Sequence, residues 1–303
     1  MKKIILTAAS VAALSFGWTL GAAQQPGRDG AGGRDAGPAA GGARGGGGGN
    51  QQKPDNLPAG LFTAKRYATM PTQRHEWIDI PSGTVKLHTW ISYPPGEDKA
   101  GVVILMQHEP GLDDWMLAAA DQVAHDGFIA IAPDLLSGRG PGRGNTDAFT
   151  FPDDAIKAGT KVTTAESLRY YKAAREYGLK LARANGKSAS LGFSAGGTMS
   201  FRFAADEPTL NAAVVFYGSA PADDVLAKIN APVLGLYGEL DTSVTPALQT
   251  TADTMKRLGK MFDMQVYPHA TNFFLIYQDM AQNGAATNMG WPRAIAFLKL
   301  HLQ

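Results

Sequence analysis

The chain has 303 residues, 44% hydrophobic and 18% charged, a balance ordinary for a globular protein with room for one large domain. A formal net charge of +1, with no basic stripe interleaved with aromatics, excludes a nucleic-acid partner or an anionic membrane surface. The count of zero cysteines excludes disulfides, a cysteine nucleophile and any thiolate metal site.

At the N-terminus Lys2 and Lys3 precede an apolar run from Ile4 to Leu20, and Gly21-Ala22-Ala23 supplies small residues for a peptidase. Residues 1–23 are therefore expected to be a secretory signal peptide, which predicts a periplasmic or secreted protein. No later stretch approaches the roughly 18 apolar residues of a membrane span, so no stable insertion is expected beyond the signal segment. Residues 24–57 are rich in Gly, Ala, Arg and Asp and lack a large apolar side chain before Leu57. Such a segment buries too little surface to offset its ordering entropy and reads as a Gly-rich linker. Residues 58–303 are expected to form the folded domain.

Within that domain Val85 to Ile91 alternates like a half-exposed strand, and Val102 to Met106 is continuously apolar, as in a strand covered on both faces. A helical pattern runs from Trp115 to His125, and a second buried strand from Phe128 to Ala132. The series continues with a helix over Thr164 to Ala184, a strand over Ala189 to Gly192 and a helix over Thr198 to Ala205. Strands at Ala213 to Tyr217 and Val233 to Tyr237, a helix at Pro246 to Leu258, a strand at Met264 to Tyr267 and a helix at Trp291 to Leu302 complete it. This alternation predicts an α/β fold, a mainly parallel central sheet with helices on both faces, which binds ligands at the carboxyl ends of the strands.

The run Gly192-Phe193-Ser194-Ala195-Gly196 follows an apolar strand and precedes a helix-compatible stretch, the setting of a Gly-x-Ser-x-Gly nucleophile elbow. A tight turn there projects the Ser194 hydroxyl above the sheet, and the Ala195 N–H at the helix start would face an oxyanion. Asp241 follows the strand ending at Tyr237, where the Ser-acid-His order of an α/β-hydrolase fold wants its acid; Glu239 is the weaker candidate.

These blocks, with Gly111-Leu112-Asp113-Asp114-Trp115 and Asp126 to Leu135, resemble the dienelactone hydrolase family from about Gly101 to Leu302. Members of that family often carry cysteine where this chain has Ser194. The resemblance implies a hydrolase of small carboxylic esters or lactones, with a small-molecule substrate and no metal or other cofactor. The family places its catalytic histidine in a Tyr-x-Gly-Ala-x-His pattern, and Tyr267-Pro268-His269-Ala270-Thr271-Asn272 puts Asn272 at that histidine's position. Asparagine cannot take a proton from a hydroxyl. The base is then expected to be His269 from the same loop or His108 from the opposite side of the elbow; failing both, the domain is a catalytically impaired or non-catalytic ligand-binding homologue.

The family's His-Glu-x-x-Gly-Leu loop can be laid on this chain in two registers. Gapless alignment on Gly111-Leu112 gives Gln107 the histidine place, His108 the glutamate place and Glu109 the second oxyanion N–H. Alignment on His108-Glu109 gives that last position to Pro110, which has no N–H. The strand length from Gly101 favours the gapless version. His108, Glu109, Asp113 and Asp114 match no metal-ligand spacing, and Ser137 to Gly144 lacks the ending of a phosphate loop, so it reads as a flexible loop near the pocket mouth.

Overall fold

A computed structural model describes residues 56–68 and 74–303, so the expected signal peptide and nearly all of the expected linker lie outside the described residues. The described chain builds one eight-stranded sheet from β1 (His75–Ser82), β2 (Val85–Ser92), β3 (Ala100–Met106), β4 (Ile129–Pro133), β5 (Ala184–Phe193), β6 (Ala212–Phe216), β7 (Val233–Gly238) and β8 (Phe262–Tyr267). The spatial order is β1-β2-β4-β3-β5-β6-β7-β8. The β1–β2 and β2–β4 pairs are antiparallel and all others parallel, which is the mainly parallel α/β sheet expected.

Alternate residues of each central strand feed two cores. Val103 and Leu105 of β3 face one core and Val102, Ile104 and Met106 the other, each at most 1% exposed. The first core lies under α1 (Ala64–Ala68), α2 (Asp114–His125) and α8 (Gly284–Leu302). The second lies under α4 (Thr164–Leu179), α5 (Ala195–Asp206), α6 (Asp223–Leu226) and α7 (Leu248–Arg257). The short helix α3 (Pro152–Gly159) lies between β4 and α4 in the chain and lines a large cavity. Burial on both faces explains why β3, β4, β6 and β7 read as unbroken apolar runs.

The structure departs from the sequence expectation at several elements. Strand β1 was not expected; its burial pattern leaves only Ile80 and Ser82 covered, so it carries no clear period. Strand β2 is more buried than a half-exposed strand, because α2 covers it: Trp90 Nε1 and the Ser92 hydroxyl both donate to the Asp121 carboxylate. Helix α4 stops at Leu179, before the expected Ala184, and α8 begins at Gly284 rather than Trp291. Small residues, Ala286, Thr287 and Gly290, bury that first half of α8, so its apolar signal is weak.

The crossovers place the site. The chain leaves β3 for β4 on one side and returns to β5 on the other, so β3 and β5 are neighbours with Met106 opposite Gly192. The loops after these two strands therefore open into one crevice at the carboxyl end of the sheet, where an open α/β sheet binds its ligands.

Candidate active site

Strand β5 ends in the elbow. Ser194 has φ 53° and ψ −114°, a left-handed conformation that costs a non-glycine residue about 1–3 kcal/mol. The surroundings hold it there: the Ser194 N–H donates to Phe216 O at 3.0 Å, and its carbonyl accepts from the Thr198 N–H at 3.0 Å. The flanking glycines are required by contact. A Cβ on Gly192 would lie 2.0 Å from Gly196 O, and one on Gly196 would lie 2.0 Å from Met106 O. Ala195 opens α5, so its N–H has no partner within the helix and points outward.

What meets the serine is Glu109, from the loop after β3. The Ser194 hydroxyl donates to Glu109 Oε1 at 2.6 Å, the length expected of an O–H···carboxylate bond. The Ala195 N–H donates to the same oxygen at 3.3 Å. The carboxylate thus lies across the Ser194 hydroxyl and the helix N-terminus together. This corrects the gapless register: Glu109 takes the glutamate place with its side chain, and the residue after it is Pro110, which has no N–H to offer.

His108 is turned elsewhere. Its Nε2 lies 3.1 Å from Asp113 Oδ2, off the line of a hydrogen bond but within ion-pair reach, and its ring packs on Trp115 at 5.5 Å between centroids. Its side chain is buried and lines the neighbouring cavity rather than the one at Ser194. His269 is also removed: its side chain is 85% exposed, its ring Nδ1 lies 3.7 Å from Glu239 Oε2, and its N–H donates to that oxygen at 2.8 Å. Neither histidine expected as a base lines the Ser194 cavity; each lies beside a carboxylate, Asp113 or Glu239, that does not line it either. Glu239 leaves the site with His269.

The cavity over Ser194 holds about 250 Å³ and is lined by Glu109, Ala195, Tyr217, Asp241 and Asn272, among others. Asp241 is buried; its Oδ1 accepts from the Ser243 N–H at 2.9 Å, the Ser243 hydroxyl at 2.6 Å and the Val244 N–H at 3.1 Å, which fixes the carboxylate and leaves Oδ2 without a hydrogen bond among the described residues. Asn272 stands beside it, in the loop that Asn283 ties down by accepting from the Thr271 N–H and hydroxyl. No histidine lines this cavity among the described residues.

Tyr217, expected only as the last residue of a strand, also lines this cavity. It directly follows β6 with φ 45°, is buried, and its hydroxyl has no hydrogen-bond partner among the described residues. Burial, and then the charge of Glu109, push that hydroxyl well above its ordinary value, so it remains a protonated donor. The sequence signal was its place at a strand's carboxyl end, one residue past an apolar run. Among the described residues no three His, Cys, Asp or Glu side chains converge in a way that could hold a metal ion, and no helix is long and apolar enough to cross a membrane.

A second, larger cavity of about 910 Å³ adjoins the first through Glu109, which lines both. Arg139 and Arg143 of the Gly-rich loop line neither; they face a separate groove, and Arg139 pairs with Glu166 at 2.7 Å.

The dienelactone hydrolase family model matches residues 87–302. A Salmonella typhimurium protein named "Putative carboxymethylenebutenolidase" is 28% identical over 232 residues, covering 71% of this chain and 83% of that one. The crystal structure of a "Putative Dienelactone Hydrolase" from Klebsiella pneumoniae superposes with a TM-score of 0.66 at 24% identity, over 74% of this chain and 98% of that one. An Anabaena variabilis dienelactone hydrolase gives a TM-score of 0.57 at 19% identity, over 76% and 99%.

Proposed function

Because the chain belongs to the dienelactone hydrolase family, we propose that it hydrolyses small carboxylic esters or lactones through an acyl-enzyme on Ser194. The observation that carries this reading is the 2.6 Å bond from the Ser194 hydroxyl to Glu109. A nucleophilic serine needs a base within hydrogen-bond reach, and among the described residues Glu109 is the only such group bonded to it.

As Ser194 Oγ bonds to the substrate carbonyl carbon, its proton passes to Glu109. The carbonyl oxygen takes the place at the Ala195 N–H that the carboxylate now occupies by the longer of its two contacts, 3.3 Å. Tyr217 lines the same cavity, and its buried hydroxyl, without a partner among the described residues, would have to turn toward the substrate to give the second donor that Pro110 cannot. Glu109 then returns the proton to the departing alcohol oxygen, or to the ring oxygen of an opened lactone. Water attacks the acyl group with Glu109 as base again, releasing the acid and restoring the serine. Asp241 and Asn272 form a fixed polar wall on the other side: an amide can donate to the free Asp241 Oδ2, yet it cannot carry a proton to or from the reaction.

A second reading, a ligand-binding domain that has lost turnover, is favoured by Asn272 at the expected histidine position and by the carboxylate lying across the Ala195 N–H. Steady-state hydrolysis of 4-nitrophenyl butanoate by the parent and Ser194→Ala separates the two. Turnover abolished by Ser194→Ala supports the hydrolase; saturable ester binding without turnover in the parent supports the binder. The order of Lys2 and Lys3, Ile4 to Leu20 and Gly21-Ala22-Ala23 further supports export to the periplasm or beyond. The mass of the mature chain from that compartment tests it, with retention of residues 1–23 in the cytoplasm as the contrary result.

A further inference from the structure

We propose that the large cavity makes this a site for esters or lactones bearing a bulky apolar or aromatic group without negative charge, and that it rejects substrates ending in a second carboxylate. The inference rests on the hydrolase reading of Ser194 and Glu109.

The first observation is position and size. The cavity shares Glu109 with the Ser194 cavity, so a substrate held at the serine extends past that carboxylate into it. Its volume of about 910 Å³ is far more than a short acyl chain fills and falls in the upper part of the range that encloses drug-sized ligands.

The second is the chemistry of its walls. Trp77, Phe149, Phe151, Phe273 and Tyr277 give it aromatic faces. Phe151 remains 64% exposed and Trp77 42% exposed, so apolar surface at this cavity stays in contact with water until a ligand covers it. Aromatic rings also prefer edge-to-face or offset contact with another ring, which favours an aromatic guest over a linear chain.

The third is charge. Glu109, Asp113, Asp114 and Asp147 all line the cavity, and the basic residues among its lining are Lys65 and two histidines. Both histidines already stand beside carboxylates: His108 Nε2 lies 3.1 Å from Asp113, and His88 Nδ1 lies 3.0 Å from Asp79. The arginines that could receive an anion, Arg139 and Arg143, face the other groove. A substrate carboxylate in this cavity would therefore meet mainly like charge in a partly water-excluded space, where repulsion is less screened than in bulk water.

The test compares kcat/KM for four 4-nitrophenyl esters: butanoate, pentanoate, 3-phenylpropanoate and the glutarate monoester, the last matching pentanoate in chain length but anionic. The expected result is 3-phenylpropanoate about tenfold or more above butanoate, and glutarate about tenfold or more below pentanoate, a gap that narrows in high salt. Phe151→Ala should shrink the first ratio, and Asp114→Asn with Asp147→Asn should shrink the second by about threefold or more. Glutarate turned over as fast as pentanoate, or an aromatic ester no better than butanoate, overturns the inference and leaves the hydrolase reading standing. If no ester is turned over, the hydrolase reading fails by itself. The cavity is then read by quenching of tryptophan fluorescence with 3-phenylpropanamide and glutaramate, using Trp77→Phe as control. Saturable binding of the neutral amide alone supports the proposal; equal binding of both overturns it.

Discussion

Replacing Glu109 by glutamine removes one charge and keeps the shape. The amide oxygen can still accept from the Ser194 hydroxyl, whose present bond to Oε1 is 2.6 Å, so the elbow should stay assembled. Exchanging a charged acceptor for a neutral one at a half-buried position should change stability by no more than about 1 kcal/mol. Activity should respond very differently. A glutamine cannot take the serine proton, and a positioned general base supplies roughly 10²–10⁴ in rate, or about 3–5 kcal/mol of barrier. The expected outcome is kcat for 4-nitrophenyl butanoate down at least about 100-fold with the thermal midpoint nearly unmoved. Glu109 also covers the Ala195 N–H at 3.3 Å, and that second role pulls the other way. If Glu109→Gln leaves kcat unchanged or raises it, the carboxylate is a plug on the oxyanion position and not the base, and the mechanism proposed for Ser194 is refuted.

Asn272→His would place an imidazole in the cavity shared by Ser194 and Asp241, a second base beside Glu109, and should raise kcat by about tenfold or more, read by the same assay; no gain would show that a side chain at 272 does not reach the Ser194 proton. Gly196→Ala would drive a Cβ to 2.0 Å from Met106 O and 2.6 Å from Gln107 O, both backbone, and should cost about 3 kcal/mol or more in chemical denaturation; a stability like the parent's would mean the elbow can move off β3. Asp134 is buried and its carboxyl is pushed up by that burial, against the opposing bonds from Thr146 and Leu136. A raised folded value means that its contribution is fully present below the unfolded carboxyl value of about 4 and is lost as pH rises through the folded one. Asp134→Asn should abolish that loss, so urea midpoints of parent and variant should shift in the variant's favour as pH rises over this window; a shift in the parent's favour would reverse the sign assigned to Asp134.

The legible part of this molecule was what burial on two faces writes into a sequence. Strands β3, β4, β6 and β7 are nearly pure aliphatic runs, and the alternation of strands with helices fixed the mainly parallel sheet. Strand β1 was hidden because half of its residues are exposed and only Ile80 and Ser82 are buried, which removes any clear period. Ser194 and Asp241, singled out by chain order and by the turns that follow strands, line one cavity, because those are features of backbone geometry. The direction of Glu109 was not legible for a related reason. Strand β3 is covered on both faces, so it carries no alternation to phase the loop after it, and one residue of register decides whether His108 or Glu109 faces Ser194. The likeness to the family's His-Glu pattern held the right answer; the count of residues from Gly101 argued for the wrong one. His269 fell out for a reason no local pattern contains: Glu239, thirty residues earlier in the chain, accepts from its backbone N–H and faces its ring outside the pocket.

The proposed hydrolysis depends on Ser194 as the nucleophile, and a fluorophosphonate probe addresses that atom directly. Intact-mass measurement of the parent should show a single stoichiometric adduct, mapped by peptide sequencing to Ser194 and absent in Ser194→Ala. An unlabelled parent that nevertheless hydrolyses esters, or an adduct carried elsewhere in the chain, would contradict it.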